Sequence, residues 1–232
     1  FFDSGEKAPR SEGGGYGYVT AKQIEWYENT VAQLRENNMG ENIPSMAFQH
    51  IPVPEIYDVL NVVPKGTQGA VKGHGSFGGN YYVLNPRLAH GDLNEGPCPP
   101  DVNSGQFESW VNQGDVIAAC FGHDHVNDFF GVYKGITFLQ TPGVGFYSYG
   151  DADKHGIRII ELNQSELNYT TKVVYYGDLI DEPVPAYLKS TGKQMFSIIL
   201  IGIALVLAVA FTIAALIIRK KRSKQRKNRI SG

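Results

Sequence analysis

The sequence predicts an α/β domain over residues 1–181 joined to one C-terminal membrane-spanning helix. Three observations carry this. Two short apolar runs, Ser45–Gln49 and Val116–Phe121, each give way directly to a turn that carries histidine. A helical period follows Thr20. Near the other end, the 24 residues from Met195 to Ile218 contain no charge, Pro, Asn or Gln.

Phe1–Gly5 reads as a strand end and a turn, with Asp3 structural. Ser11–Gly17 is a glycine-rich loop. Thr20–Ala21–Lys22–Gln23 has the form of a capping box, and Ile24, Tyr27, Val31 and Leu34 follow at helical spacing. That helix is expected to cover one face of a sheet and to end between Asn37 and Pro44. Ser45–Gln49 is a short strand with His50 at its C-terminal end, and Pro52 and Pro54 hold the exit extended. Residues 61–106 hold nine glycines without clear periodicity and predict a long functional connection. Its histidines, His74 and His90, read as solvated loop residues. Ser104 is the expected cap of a short helix carrying Phe107, Trp110 and Val111, which Gly114 ends. Val116–Phe121 is apolar and partly β-branched, a buried strand that Gly122 terminates. Ile136–Leu139, Gly156–Leu162 and Thr171–Tyr176 read as further strands.

Residues 182–194 contain Pro183 and Pro185 and read as a stalk. At about 1.5 Å per residue, the apolar run 195–218 reaches about 36 Å, enough to cross a hydrocarbon core of roughly 30 Å. Residues 219–232 form a basic tail, with eight Lys or Arg among residues 219–229. Without those eight, the rest of the chain carries a formal charge of about −10. The positive-inside rule then predicts a type I topology, with the tail cytoplasmic and residues 1–190 lumenal or extracellular. Beside a membrane span, the tail suits anionic lipid better than nucleic acid, so no nucleic-acid partner is expected. Asn163–Gln164–Ser165 and Asn168–Tyr169–Thr170 are glycosylation sequons on the outer side, at Asn163 and Asn168. Cys98 and Cys120 are compatible with one disulfide or with free thiols.

His123 and His125 leave their strand end two residues apart. In extended chain such side chains point the same way, roughly 6–7 Å apart. That suits two ligands on one metal, or one ligand on each of two metals about 3.5–4 Å apart. His50 stands in the same relation to its own strand, and ligands gather at the carboxyl ends of strands in open α/β sheets.

Gly122–His123–Asp124–His125–Val126–Asn127–Asp128–Phe129 after an apolar strand resembles the last signature of the calcineurin-like metallophosphoesterases. It is most similar to the branch of purple-acid-phosphatase-related and yeast-type phosphatases. Met46–Ala47–Phe48–Gln49–His50–Ile51–Pro52–Val53–Pro54–Glu55 resembles that family's strand ending in a metal-ligand histidine. Weaker echoes follow in family order: Phe2–Gly5, Tyr16–Gly17, Gln23 with Trp26, Gly143–Phe146 and Arg158–Ile160. The resemblance covers about residues 1–165.

The resemblance implies the C-terminal half of a four-layer αββα sandwich and a centre of two metal ions, drawn from Fe, Zn and Mn. It implies that His50 and His123 bind one metal and His125 the other, with a phosphorylated substrate clamped between them during in-line attack. By position, Asp124 and Asn127 are expected to hydrogen-bond the ligand rings or neighbouring backbone. The family's Asp-x-His, Gly-Asp-x-x-Asp and Gly-Asn-His-Asp/Glu motifs do not occur here, and Gly91–Asp92 lacks the trailing Asp. The expectation is therefore the C-terminal part of a longer, membrane-anchored metal-dependent phosphomonoesterase. It carries half the site and is inactive alone. The alternatives are a membrane-anchored binding or receptor domain that keeps the fold without catalysis, and a mononuclear zinc protein using the same three histidines.

Overall fold

The computed structural model describes residues 1–181 apart from residues 6, 9, 10, 12 and 13. The expected stalk, membrane helix at 195–218 and basic tail lie outside the described residues. Among those described, no helix is long and apolar enough to cross a membrane.

Helix α1 (Ala21–Asn37) starts where the capping box predicts. The Thr20 amide donates to Gln23 Oε1 at 2.9 Å, and Gln23 Nε2 donates to the Asp3 carbonyl at 2.9 Å. The cap thus also pins the N-terminal segment. Tyr27 and Val31 are buried, whereas Leu34 stays exposed, so the apolar stripe is narrower than the period suggests.

Strand β1 (Ser45–Gln49) follows, then a 3-10 turn (Pro54–Val59). The stretch expected to be an aperiodic connection holds real structure. Strands β2 (Leu60–Val63), β3 (Val71–Lys72) and β4 (Tyr81–Leu84) form a three-stranded antiparallel sheet in the order β2-β4-β3. Its strands are too short to show alternation in sequence. Aromatic burial organises it instead: Tyr57 stacks on Phe77 at 3.8 Å and meets Tyr82 edge-on at 4.7 Å. Strand β5 (Ala89–His90) leaves this unit and joins the main sheet.

Helix α2 (Gln106–Gln113) is entered through Gly105 at φ 80°, not through a Ser104 cap. Asn103 Oδ1 accepts the Gly105 amide at 3.0 Å, which turns the chain one residue later than a serine cap would. Gly114 at φ 71° closes the helix as expected, its amide donating to the Trp110 carbonyl at 2.9 Å.

Strands β6 (Val116–Phe121), β7 (Phe130–Tyr133) and β8 (Ile136–Gln140) complete a five-stranded mixed sheet in the order β1-β6-β8-β7-β5. Strands β1, β6 and β8 run parallel, while β7 is antiparallel to both its neighbours. A central parallel strand is covered on both faces, so β6 is apolar at nearly every position. Ala119 and Phe121 pack with Tyr27, Phe107, Trp110 and Phe138 on the helical side. Ala118 and Cys120 pack with Leu139 on the other, against Met46, Phe48, Ile160 and Tyr169. The last two belong to the hairpin of β9 (Gly156–Asn163) and β10 (Asn168–Tyr175), which ends in a short helix α3 (Tyr176–Leu179). Both sequons lie at the hairpin turn with exposed asparagines. Cys98 and Cys120 are both free thiols.

This is a mixed α/β arrangement of helices, sheet and a second small β layer, consistent with a metallophosphoesterase-like fold. Half-buried Arg158 fastens the second layer to the first. Its guanidinium donates to the Gln140 carbonyl at 2.8 Å, the Asp128 carbonyl at 2.6 Å and Thr171 Oγ1 at 3.2 Å.

Candidate functional site

Parallel register brings two of the three predicted histidines together. Phe48 pairs with Cys120 and Gln49 with Phe121, so β1 and β6 end level. The pairing runs on past the strands, with the Gly122 amide donating to the His50 carbonyl at 3.2 Å. His50 and His123 therefore emerge side by side. Nε2 of His50 lies 3.1 Å from Nδ1 of His123, and the rings meet edge-on at 4.9 Å. Burial pushes His50 below the usual histidine range, helped by nearby His125. Burial also lowers His123 to about 4, with further contributions from His50, His125 and His74. Both rings are neutral near pH 7, the state in which imidazole ligates a metal.

His125 takes a different setting. Its ring stacks on Tyr149 at 4.4 Å and 7°, and its Nδ1 lies 2.8 Å from the Tyr149 carbonyl oxygen. A carbonyl only accepts, so Nδ1 carries a proton, and a neutral ring has its lone pair on Nε2. Among the described residues, no group of three or more His, Cys, Asp or Glu side chains converges so as to hold a metal ion.

The donor set nonetheless fits a metal in its chemistry. Two imidazole nitrogens about 2.1 Å from a tetrahedral ion stand roughly 3.4 Å apart. The observed 3.1 Å separation is close to that value. A ligating histidine ordinarily gives its other N–H to a carbonyl, as His125 does here.

Asp124 and Asn127 are fully buried, and their hydrogen bonds run to backbone and to Gln140. Asp124 Oδ1 accepts the Cys98 amide at 3.0 Å, and Oδ2 accepts Gln140 Nε2 at 3.0 Å. Desolvation, aided by Glu95, raises its carboxyl to about 7. Asn127 Oδ1 accepts the Asn94 and Glu95 amides at 2.9 and 3.1 Å, and its Nδ2 donates to the Glu95 carbonyl at 3.0 Å. Of the two placements expected, the backbone one is observed: both residues fasten the segment around 94–98 beneath the histidines.

Other residues frame the site without an individual sequence signal. The Tyr16 ring meets His123 edge-on at 4.4 Å and His74 at 5.3 Å. His74 is solvent-exposed, as expected, with its ring near that of Tyr16. His90 lies elsewhere, beside Phe130 on β5. Glu95 Oε1 accepts the Tyr149 hydroxyl at 3.0 Å and the Val126 amide at 3.2 Å. Tyr16 is marked in sequence only by the weak Tyr16–Gly17 echo and its glycine-rich loop; Glu95 and Tyr149 sit in irregular segments where no period marks them.

No family model matches the chain, and no solved structure matches it. Three curated proteins of Arabidopsis thaliana are similar to it. "Probable inactive purple acid phosphatase 28" is 32% identical over 162 residues, covering 69% of this chain and 34% of the relative. "Probable inactive purple acid phosphatase 29" is 30% identical over 173 residues, covering 71% and 38%. "Probable inactive purple acid phosphatase 14" is 28% identical over 161 residues, covering 66% and 34%. The chain thus spans about a third of the length of the curated relatives it matches. Its homologues are purple acid phosphatase-like proteins of the metallophosphoesterase superfamily, and those matched carry names that mark them as probably inactive.

Proposed function

We propose that this chain supplies the histidine half of a metal-dependent phosphoesterase site. The observation that carries the reading is the opposed pair of neutral imidazoles, His50 and His123, with His125 beside them presenting a free Nε2. His50, His123 and His125 would hold the metal, identity open among Zn, Fe and Mn. When bound, such ions supply Lewis acidity toward a phosphoryl oxygen and a nucleophile at neutral pH. This chain's own residues bind and orient. Tyr16 packs edge-on against His123, and buried Asp124 and Asn127 hold the backbone around 94–98. The substrate is a phosphomonoester, and the remaining ligands come from the two thirds of the relatives' length that this chain does not span. Residues 195–218 anchor the domain to a membrane, with the basic tail on the cytoplasmic side against anionic lipid.

A second reading has one observation in its favour: the matched relatives are named as inactive. On that reading the chain is a membrane-anchored binding domain that keeps the fold and does not turn over.

Metal content and aryl-phosphatase activity of a longer protein containing this chain, with and without His123→Ala, separate the two. The phosphoesterase reading expects about two metals per chain, with metal and turnover both lost on substitution. Bound metal without turnover supports the second reading. No metal in either form overturns the metal-site proposal.

A further inference from the structure

His125 is held by a set of contacts that no neighbouring histidine shares. The Tyr149 carbonyl meets its Nδ1, the Tyr149 ring stacks on its face, and the Tyr149 hydroxyl donates to Glu95. Glu95 Oε1 also accepts the Val126 amide, one residue beyond His125. The backbone of Glu95 is fixed in turn by Asn127. On the far side, the Gly143 amide donates to the His125 carbonyl at 2.9 Å, and a Cβ on Gly143 would stand 3.1 Å from the His125 side chain. Residues 94–98 and 143–149 thus both meet the 124–127 segment that carries His125.

We infer that Glu95 and Tyr149 are a positioning pair that locks His125 as the Nδ1–H tautomer, leaving Nε2 as its only free donor atom. Stacking alone would fix the ring plane and leave its proton undecided. The carbonyl decides the proton, and the Glu95 contact decides where the carbonyl sits. A carboxylate suits the junction because one oxygen serves both the hydroxyl and the amide. This inference deepens the metal-site reading and rests on it for its purpose, although the tautomer itself does not need a metal.

The test uses the full 232-residue chain, in detergent and chelator, labelled with 15N-histidine. Imidazole nitrogen shifts report the tautomer directly. The expected result is a single Nδ1–H form of His125 in the parent chain. Tyr149→Phe keeps the ring and the carbonyl but loses the hydroxyl, and Glu95→Ala loses both contacts. Each should shift the His125 nitrogens toward the averaged values of an exchanging ring. Glu95→Gln retains an accepting Oε1 and should restore the parent spectrum. An unchanged His125 spectrum in Tyr149→Phe, with the other histidine signals intact, overturns the proposal. So does Glu95→Gln behaving as Glu95→Ala. A Zn(II) titration of the same proteins, exchanged out of the chelator, reads the reliance on the metal site: affinity should fall about 10–100-fold in Tyr149→Phe. If the tautomer responds and Zn(II) binds none of the samples, the positioning pair stands, and metal analysis of the longer protein decides the metal-site reading.

Discussion

Asp124 stands between His123 and His125 in sequence, yet its carboxylate serves the protein interior. It bridges the Cys98 amide and Gln140 Nε2, so it joins the segment under the site to the end of β8. Both donors lose their acceptor in Asp124→Ala. Leaving a buried donor unsatisfied costs about 1–3 kcal/mol each. The expected loss is about 2–6 kcal/mol, read as a lower urea midpoint at constant m-value. A stability within about 0.5 kcal/mol of the parent would show that water replaces the carboxylate at no cost. Cys120 is a simpler case, a small buried thiol whose ionisation burial pushes up to about 12. Its position in β6 is set by packing against Leu139, not by chemistry.

Among the elements, α2 shows how local chemistry decides placement. Its end depends on Gly114 at φ 71°, a conformation costing an L-residue roughly 1–2 kcal/mol. The space around Gly114 is open, with Asn42 Nδ2 the nearest atom at 3.5 Å from an added Cβ. Gly114→Ala should therefore lose about 1 kcal/mol from backbone conformation alone, and Gly114→Asn less, because asparagine tolerates that region. Paired thermal melts check both the size and the order. Equal melting points for the two variants would point to packing instead. The strands bearing His50 and His123 were legible in sequence, because apolar runs ending in histidine mark both a buried strand and its open end. The capping box at Thr20 and the glycine stop at Gly114 were legible for the same local reason. The small sheet of β2, β3 and β4 was not, since its strands are two to four residues long and rest on aromatic stacking between distant residues. Glu95 and Tyr149 escaped because their role exists only once three loops meet.

For the whole molecule, the main sheet places its histidines at one end and buries both faces of its central strand, with helices on one side and the β9–β10 hairpin on the other. The chain covers about a third of its relatives' length and brings together two imidazoles, with a third close by. Accordingly, the isolated chain should hydrolyse an aryl phosphate no faster than buffer with the same metal, and measurable turnover that His50→Ala abolishes would contradict that. The pairing of β1 with β6 has one more consequence, which concerns time. His50 and His123 are 73 positions apart, and only that pairing brings them together. Closing a loop of that length costs roughly 4 kcal/mol of chain entropy beyond a constant. Non-local parallel pairing of this kind is slow to form. The two nitrogens therefore meet late in folding, and a probe of their proximity would mark the arrival of the native sheet.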